Sequence, residues 1–228
     1  MIYTVGGIKG GSGKTTIATN FTVYLASQNR DVLLVDADDQ ETSTDFTSWR
    51  NDRTGSNCGY TAIQLANDSV RTEVLKLSKK YDDIIIDTGG RDTTSQRSAL
   101  VVSDVYLVPF VPRSFDIWTL EKVTKLIREI ITVNPKLKPV CFLNRTDSRG
   151  VDNEEAAIFL KEANDIQFLD APLATRKSYS NAAANGMAVF EVKPKDLKAE
   201  EEFLYLMNEL DNLNKQLEQP LINLVTTL

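Results

Sequence analysis

A glycine-rich segment near the start of the chain has the residue types that bind phosphate. The segment reads Lys9-Gly10-Gly11-Ser12-Gly13-Lys14-Thr15-Thr16. Its glycines let successive N–H groups point at one anion, and a helix that follows presents its positive N-terminus to the same charge. Lys14 can then reach the β- and γ-phosphates of a nucleotide, while the Thr15 hydroxyl binds Mg²⁺. Residues 10–16 are therefore the predicted nucleotide-binding loop.

The loop departs from the usual phosphate-binding pattern at its first positions. In the pattern G-x-x-x-x-G-K-[ST], the first glycine would stand at position 8, which here is Ile8, and the next residue is a second lysine, Lys9. The apolar run before the loop predicts a buried strand, and the apolar periodicity after it predicts a helix. A match in this context favours a nucleotide site over a glycine turn without a ligand.

Polar side chains follow three further apolar runs. Asp36 and Asp38 follow one such run, Asp87 ends a second, and Asn144 follows a third. The carboxyl ends of parallel strands meet at one edge of a sheet, where ligands bind. We therefore expect these side chains to meet the glycine loop at that edge. Asp87 is the expected second anchor for Mg²⁺, directly or through water.

Strand-like apolar runs alternate with helix-like segments along the chain. The predicted strands cover residues 2–5, 32–36, 60–65, 83–87, 105–110, 139–144 and 167–170. The predicted helices cover residues 15–28, 42–53, 70–77, 94–103, 116–133, 153–164, 176–185 and 195–217. This alternation predicts an α/β fold in which helices cover both faces of a mostly parallel, doubly wound sheet. Because no repeat or linker interrupts it, residues 1–228 are expected to form a single P-loop NTPase domain.

Length and composition are those of an ordinary globular protein. Of the 228 residues, 42% are hydrophobic and 25% are charged, which suits one large domain. No apolar run approaches the roughly 18 to 20 residues of a membrane span, and the first residues have no signal-peptide pattern, so a cytoplasmic location is expected. Cys58 and Cys141 are far apart, and the chain has no histidine. Buried, inert thiols are expected, rather than a metal site or a disulfide.

The C-terminal part of the chain is acidic. Residues 199–228 carry six acidic side chains and one lysine, so most of the net charge of −6 lies there and the rest is nearly neutral. The predicted helix 195–217 has an apolar stripe formed by Phe203, Leu206, Leu210, Leu213 and Leu217. Because about two heptads are too short for a coiled coil, we expect this stripe to pack on the domain. The helix and the apolar tail 218–228 lack the basic face of a membrane-surface helix.

With these residues in place, the chain resembles the ParA/MinD family of deviant Walker ATPases over roughly residues 1–199. The resemblance implies ATP and ADP as ligands, together with Mg²⁺. Lys9 matches the family's signature lysine, which reaches across a sandwich dimer to the nucleotide held by the other subunit. A cation supplied only on association would stabilise charge developing on the transferred phosphoryl group. The resemblance therefore implies an ATP-dependent homodimer in which Lys9 and Lys14 are catalytic.

Two further segments resemble the family's switches. Switch I, residues 36–40, reads Asp-Ala-Asp-Asp-Gln and is similar to the motif D-x-D-P-Q. On that match Asp36 supports the magnesium shell, and Asp38 is catalytic because it positions the attacking water. Asp39 replaces the usual proline, which removes a rigid φ and adds a charge. Switch II, residues 88–92, reads Thr-Gly-Gly-Arg-Asp, and its glycines predict a mobile segment that registers the γ-phosphate.

The resemblance also suggests where the adenine base would lie. Asn144 resembles the residue that contacts adenine in these proteins, and Arg145 flanks the base. Pro172, within Ala171-Pro172-Leu173, resembles part of the loop that closes over the base. A capping or turn role for Asn144 is the alternative.

The C-terminal segment favours a ParA-type function. ParA-type members bind nucleoid DNA without sequence preference as ATP dimers, and they release it when a ParB-like centromere-binding protein or a cargo adaptor stimulates hydrolysis. MinD-type members bind membranes through a basic C-terminal helix. Because that helix is missing here, we expect no membrane contact and a positioning ATPase that segregates DNA or cargo on the nucleoid. The candidate DNA contacts are Arg145, Arg149, Arg176, Lys177, Lys193, Lys195 and Lys198.

Three alternatives stay open. The basic residues could form a scattered, solvated surface, and the protein could be a MinD-like cell-division ATPase. It could also be a small-molecule P-loop enzyme, such as a ligase that acts on a carboxylate. Such an enzyme needs a polar substrate pocket beside the γ-phosphate, and the sequence shows no cluster of residues for one.

Overall fold

The computed structural model describes residues 1–112, 119–147 and 151–218. Its strands are β1 (Ile2–Val5), β2 (Val32–Ala37), β3 (Thr61–Gln64), β4 (Asp83–Thr88), β5 (Val105–Phe110), β6 (Lys138–Thr146), β7 (Gln167–Phe168) and β8 (Leu173–Ala174). Its helices are α1 (Lys14–Ser27), α2 (Thr42–Thr54), α3 (Asp68–Leu77), α4 (Thr94–Val102), α5 (Leu120–Ile131), α6 (Val151–Glu162), α7 (Lys177–Ala183) and α8 (Leu197–Glu218), with a 3₁₀ turn at Val189–Glu191.

The strands form one open sheet in the order β3-β2-β4-β1-β5-β6-β7, and β8 also pairs with β6. Every strand pairing among the described residues is parallel. Strands β2, β3 and β4 lie on one side of β1, and β5, β6 and β7 lie on the other, so the glycine loop that follows β1 lies at a switch point of the topology. The predicted single α/β domain with a parallel, doubly wound sheet is confirmed.

Helices cover both faces of the sheet because side chains alternate along its strands. In β4, Ile85 belongs to a core cluster with Phe21 of α1 and Phe203 of α8. Its neighbours Ile84 and Ile86 belong to the opposite cluster, which includes α3. A further cluster joins β5 and β6 to α5 and α6. Central strands buried on both faces explain why their sequences are continuous apolar runs.

The predicted C-terminal helix packs on the domain. Its residues Phe203, Leu206, Leu210 and Leu213 are at most 6% exposed and lie in the same cluster as β1 and α1. The prediction that the stripe packs on the domain is confirmed for these four residues. The side chain of Leu217 and the tail beyond residue 218 lie outside the described part.

Several element boundaries differ from the sequence prediction. Strand β7 ends at Phe168, two residues earlier than expected, and the chain then turns into β8, which the sequence analysis missed because only two residues pair. The start of the predicted helix 116–133 lies outside the described residues, and α5 begins at Leu120. Cys58 and Cys141 are buried and free, as expected. In the described part of the chain, no helix is long and apolar enough to span a membrane.

Candidate functional site

The glycine loop connects β1 to α1 with backbone conformations that favour glycine. Gly11 and Gly13 have φ angles of 78° and 90°, which L-residues with a Cβ rarely adopt. Gly13 is also the N-cap of α1, and no side chain caps this helix end. The first N–H groups of α1 therefore keep their capacity to bind an anion. The predicted loop has the form of a phosphate cradle.

The side chain of Lys14 lies inside this loop. It is only 6% exposed, and its Nζ donates a hydrogen bond to the carbonyl oxygen of Lys9 at 3.0 Å. Burial lowers the pKa of Lys14, while the carboxylates of Asp87 and Asp38 oppose the shift. The Lys14 ammonium group thus contacts the main chain of Lys9. Residue Lys9 is itself partly exposed.

Asp87 at the end of β4 is a buried carboxylate with an incomplete set of partners. It is fully buried, and neither oxygen forms a hydrogen bond of ordinary geometry with the described residues. Burial raises the pKa of Asp87 to about 7, although the Thr15 hydroxyl is close enough to oppose this shift. A buried carboxylate without a partner is costly. Its position beside Thr15 suits a bound cation.

The donor set fits Mg²⁺ with bound nucleotide. This ion is usually held by one or two carboxylates together with waters and phosphate oxygens. Thr15 and Asp87 supply a hydroxyl and a carboxylate. No group of three acidic, cysteine or histidine side chains that could hold a metal occurs among the described residues. Any Mg²⁺ here would therefore depend on the phosphates for the rest of its shell.

Asp36 lies beside Asp87 in the register of β2 and β4, but both of its carboxylate oxygens accept hydrogen bonds within the protein. One accepts from the backbone N–H and the hydroxyl of Thr44, at 2.9 and 2.8 Å, and the other accepts from the N–H of Asp38 at 3.2 Å. Asp36 therefore holds switch I against the first turn of α2. Its predicted part in the magnesium shell stays a prediction.

Asp38 and switch II face the glycine loop across a cavity of about 560 Å³. The cavity is lined by Gly10, Gly11, Gly13, Lys14, Thr15, Thr16, Asp38, Asp39, Gln40, Thr42, Gly89, Gly90, Arg91 and Thr93. One Asp38 oxygen accepts from the N–H of Gln40 at 3.2 Å. The sequence-predicted switch residues and the phosphate loop thus form one site.

The glycines of switch II are needed for close approach. A Cβ at Gly90 would lie 2.6 Å from the backbone nitrogen of Gly10, and a Cβ at Gly89 would lie 3.0 Å from an oxygen of Asp38. Real Cβ atoms essentially never show a contact as short as that at Gly90, whereas the contact at Gly89 is tight and requires the Asp38 side chain to give way. The sequence analysis related these glycines to mobility, and the structure adds a steric reason for them.

Asn144 and Arg145 hold the glycine loop from its other side. The amide nitrogen of Asn144 donates to the carbonyl oxygen of Ser12 at 2.7 Å, and Arg145 donates to that of Gly11 at 2.8 Å. The pairing of β6 with β8 shifts register between Asn144 and Thr146, and Arg145 has a φ of 58°. This bulge directs both side chains at the loop. Asn144 thus holds the loop through a contact between residues 132 positions apart, and its predicted roles at the base or in a turn stay predictions.

A second cavity of about 350 Å³ adjoins this part of the loop. Its lining includes Gly13, Thr16, Ile17, Asn144, Arg145, Ala174, Thr175, Arg176, Lys177, Tyr179 and Ser180. Asn144 and Arg145 line this cavity, and their predicted contact with the base stays a prediction. Pro172 is exposed and lies two residues before the lining residue Ala174, so it is not placed against this cavity.

Several residues that shape the site were missed by sequence analysis. Thr44 donates hydrogen bonds to Asp36. Thr44 lies eight residues after Asp36, and no sequence motif marks that spacing. Gln96 is fully buried behind switch II. Thr93-x-x-Gln96 matches the capping-box pattern, which could have drawn attention to this turn. The Thr93 hydroxyl does accept from the N–H of Gln96 at 3.2 Å, but the Gln96 side chain points elsewhere.

The structure separates the predicted DNA contacts into two groups. Arg176 is paired with Glu202, and Lys195 is paired with Glu200 at 2.8 Å. Of the other described candidates, Arg145 donates to the glycine loop, whereas Lys177, Lys193 and Lys198 are exposed and form no ion pair within the described ranges. Arg149 lies outside these ranges. The charges of Arg176 and Lys195 are thus partly balanced within the protein, and their contact with DNA stays a prediction.

Comparison with known proteins agrees with this site. The profile of the CobQ/CobB/MinD/ParA nucleotide binding domain matches residues 3–189. Maintenance of carboxysome distribution protein A from Halothiobacillus neapolitanus is 26% identical over 208 residues, covering 90% of this chain and 94% of that protein. Its namesake from Gloeobacter kilaueensis is 30% identical over 207 residues, covering 89% and 90%.

Solved structures give the same fold. A putative plasmid partition protein from Borrelia burgdorferi, bound to AMPPNP, superposes with a TM-score of 0.76 at 19% identity, covering 93% of this chain and 98% of that one. At this identity the match shows the fold alone. The profile match over residues 3–189, most of the chain, shows that this chain belongs to the CobQ/CobB/MinD/ParA family of nucleotide binding domains.

Proposed function

We propose that this protein is a ParA-type ATPase that dimerises around ATP and uses the dimer to position cargo on DNA. The observation that carries the proposal is the second loop lysine, Lys9, directly before a glycine cradle that already contains Lys14. One lysine is buried in its own loop and serves its own nucleotide. The other is partly exposed, and in this proposal it reaches the nucleotide of a second subunit.

The proposed chemistry follows from the residues around the cavity. Thr15 and Asp87 would hold Mg²⁺, which would neutralise charge on the β- and γ-phosphates. Lys14 stabilises charge on the transferred phosphoryl group, and Asp38 orients the attacking water. Lys9 of a second copy adds charge that is present only in the dimer. Hydrolysis would then be slow in the monomer and would end the association.

The sequence relatives favour a protein cargo. Both relatives described above are named for the distribution of carboxysomes, and each match covers about nine-tenths of this chain. The likeness to plasmid partition proteins supports only the fold. We therefore propose a large protein assembly as cargo, connected through an adaptor that stimulates hydrolysis, in preference to a plasmid connected through a ParB-like protein.

Nonspecific DNA is the proposed track, on the nucleoid. Lys177, Lys193 and Lys198 are exposed cations in the C-terminal part that form no ion pair within the described ranges. The phosphate backbone attracts such side chains without sequence preference, and its affinity falls with salt because counterions are released. An ATP dimer doubles the number of these cations on one particle, which explains why binding would depend on nucleotide.

Size and DNA binding together test the proposal. The protein is measured by light scattering with ATP and Mg²⁺, with ADP, and without nucleotide, and each sample is titrated with random-sequence duplex DNA at several salt concentrations. We expect a dimer and DNA binding only with ATP, and a steep decrease in affinity as salt rises. DNA binding that ignores nucleotide contradicts the proposal. ATP turnover that requires an added metabolite and ignores DNA would favour the small-molecule enzyme.

Lys193 and Lys195 form a matched pair for this test. Lys193→Ala is expected to lower DNA affinity and to reduce the salt slope by about 1, as loss of one phosphate contact does. Lys195→Ala removes a charge that is already paired with Glu200, and is expected to change the slope less. Equal effects would show that the internal ion pair does not decide which lysines contact DNA.

A further inference from the structure

Gln96 in the first turn of α4 joins two loops of the nucleotide site. Its side chain is fully buried. In the amide orientation that satisfies both of its ends, the nitrogen donates to the carbonyl oxygens of Gly7 and Arg91, each at 3.1 Å, and the oxygen accepts from the Tyr106 hydroxyl at 3.2 Å. Gly7 leads into the glycine loop, and Arg91 belongs to switch II. One side chain thus binds the main chain of both.

The two loops meet directly at the nucleotide cavity. Gly10 and Gly90 line it, and their backbones are so close that a Cβ on Gly90 would overlap Gly10. Gln96 does not line this cavity. It is therefore in a position to fix the distance between the loops without contacting a ligand.

The same turn of α4 holds the end of switch II by a second set of contacts. The Arg97 guanidinium donates to both oxygens of Asp92 at 2.7 Å, and also to Glu129 of α5 at 2.9 Å. Asp92 is the last residue of switch II. Switch II is thus attached to α4 at Asp92 and to the glycine loop through Gln96 at Arg91.

We propose that Gln96 is a positioning residue that fixes switch II relative to the glycine loop, so that switch II responds to the γ-phosphate bound by that loop. This inference rests on the proposed ATPase function. The carbonyl groups of Gly7, a buried residue, and of Arg91 accept hydrogen bonds from the Gln96 amide, and a buried polar group without a partner is unfavourable. Loss of the amide would let switch II move relative to the loop. The β-phosphate contacts of residues 10–15 would remain.

The test compares Gln96→Met with a control in the same helix. Methionine has a similar length but no donor, whereas Ser98→Ala removes a buried hydroxyl that faces Asp68 at 3.4 Å, away from both loops. Dissociation constants for ADP and for a non-hydrolysable ATP analogue are measured with ATP turnover. For Gln96→Met we expect ADP binding within about twofold, a several-fold loss of preference for the ATP analogue, and turnover lower by about 10- to 100-fold, as small misplacements cause. Ser98→Ala should keep the wild-type preference for the ATP analogue and the wild-type turnover.

If Gln96→Met does not fold, Tyr106→Phe tests whether Gln96 positions switch II. It removes only the hydroxyl that orients the amide, so a smaller loss of the same preference and of turnover is expected. If a folded variant keeps wild-type nucleotide preference and turnover while losing only stability, Gln96 is a packing residue and the inference is wrong. A wild-type protein that neither hydrolyses ATP nor prefers it over ADP would instead contradict the proposed function.

Discussion

Gly90→Ala tests how closely switch II must approach the glycine loop. The φ angle of Gly90 is not in the left-handed region that excludes other residues, so alanine can adopt the local backbone conformation. The added methyl group would nevertheless lie 2.6 Å from the Gly10 nitrogen and 2.7 Å from its Cα. Both neighbouring atoms are backbone, so no side-chain rotation can relieve the overlap. The two loops must separate.

The required separation can be worked out from these contacts. Ordinary van der Waals contact begins at 3.4 Å and the Gly10 nitrogen would be at 2.6 Å, so the loops must move apart by roughly 0.8 Å. Overpacking of this kind destabilises a protein by about 1–3 kcal/mol. A shift near 1 Å in a catalytic site can also lower a rate by about 100-fold. We therefore expect the rate to fall by a larger factor than stability alone would explain.

Gly89→Ala is the matched control at the neighbouring position. Its Cβ would lie 3.0 Å from an oxygen of Asp38, which is a side-chain atom that can move. Its cost in stability should therefore be smaller than that of Gly90→Ala. Urea unfolding without nucleotide measures both stabilities, and ATP turnover with Mg²⁺ measures both rates. Wild-type stability and turnover in Gly90→Ala would refute the close contact and the reasoning built on it.

Three further substitutions test separate parts of the site. Lys9→Ala should keep ADP binding by the monomer but remove the ATP dimer and partner-stimulated hydrolysis, and an unchanged stimulated rate would contradict the role of Lys9. Asp38→Ala should slow hydrolysis and accumulate the ATP dimer, seen by size measurement during turnover; a monomer under those conditions would be evidence against a water-positioning role. Arg50→Ala removes two hydrogen bonds to Glu191, at 2.7 and 2.9 Å. It should lower the free energy of unfolding, measured in urea, by about 2–4 kcal/mol. A change below about 0.5 kcal/mol, typical of exposed pairs, would mean that this pair contributes little.

The elements of the fold were predictable because they depend on neighbouring residues. Continuous apolar runs such as residues 84–86 indicate strands buried on both faces, and alternation with helices implies a parallel sheet. The short strand β8 was missed because two residues carry no periodicity, and its pairing depends on the bulge in β6. Boundaries shifted by one or two residues where caps and turns end an element.

The phosphate loop and Asp87 were also predicted from the local sequence, and both switches were predicted from the family resemblance. Each is a short run whose conformation and chemistry are local, such as three glycines before Lys14 or an aspartate at the end of an apolar strand. Because parallel strands end at one edge of the sheet, the meeting of these runs could be inferred as well.

Only the tertiary structure decided which partner each polar side chain meets. Asn144 turned out to hold the carbonyl oxygen of Ser12, and Arg176 is paired with Glu202. Gln96 joins the glycine loop to switch II. These partners are 132 and 26 residues apart for the first two pairs, so their contacts depend on the register and packing of separate elements. A sequence pattern specifies which groups a side chain can bind, and the folded arrangement determines which of them is within reach.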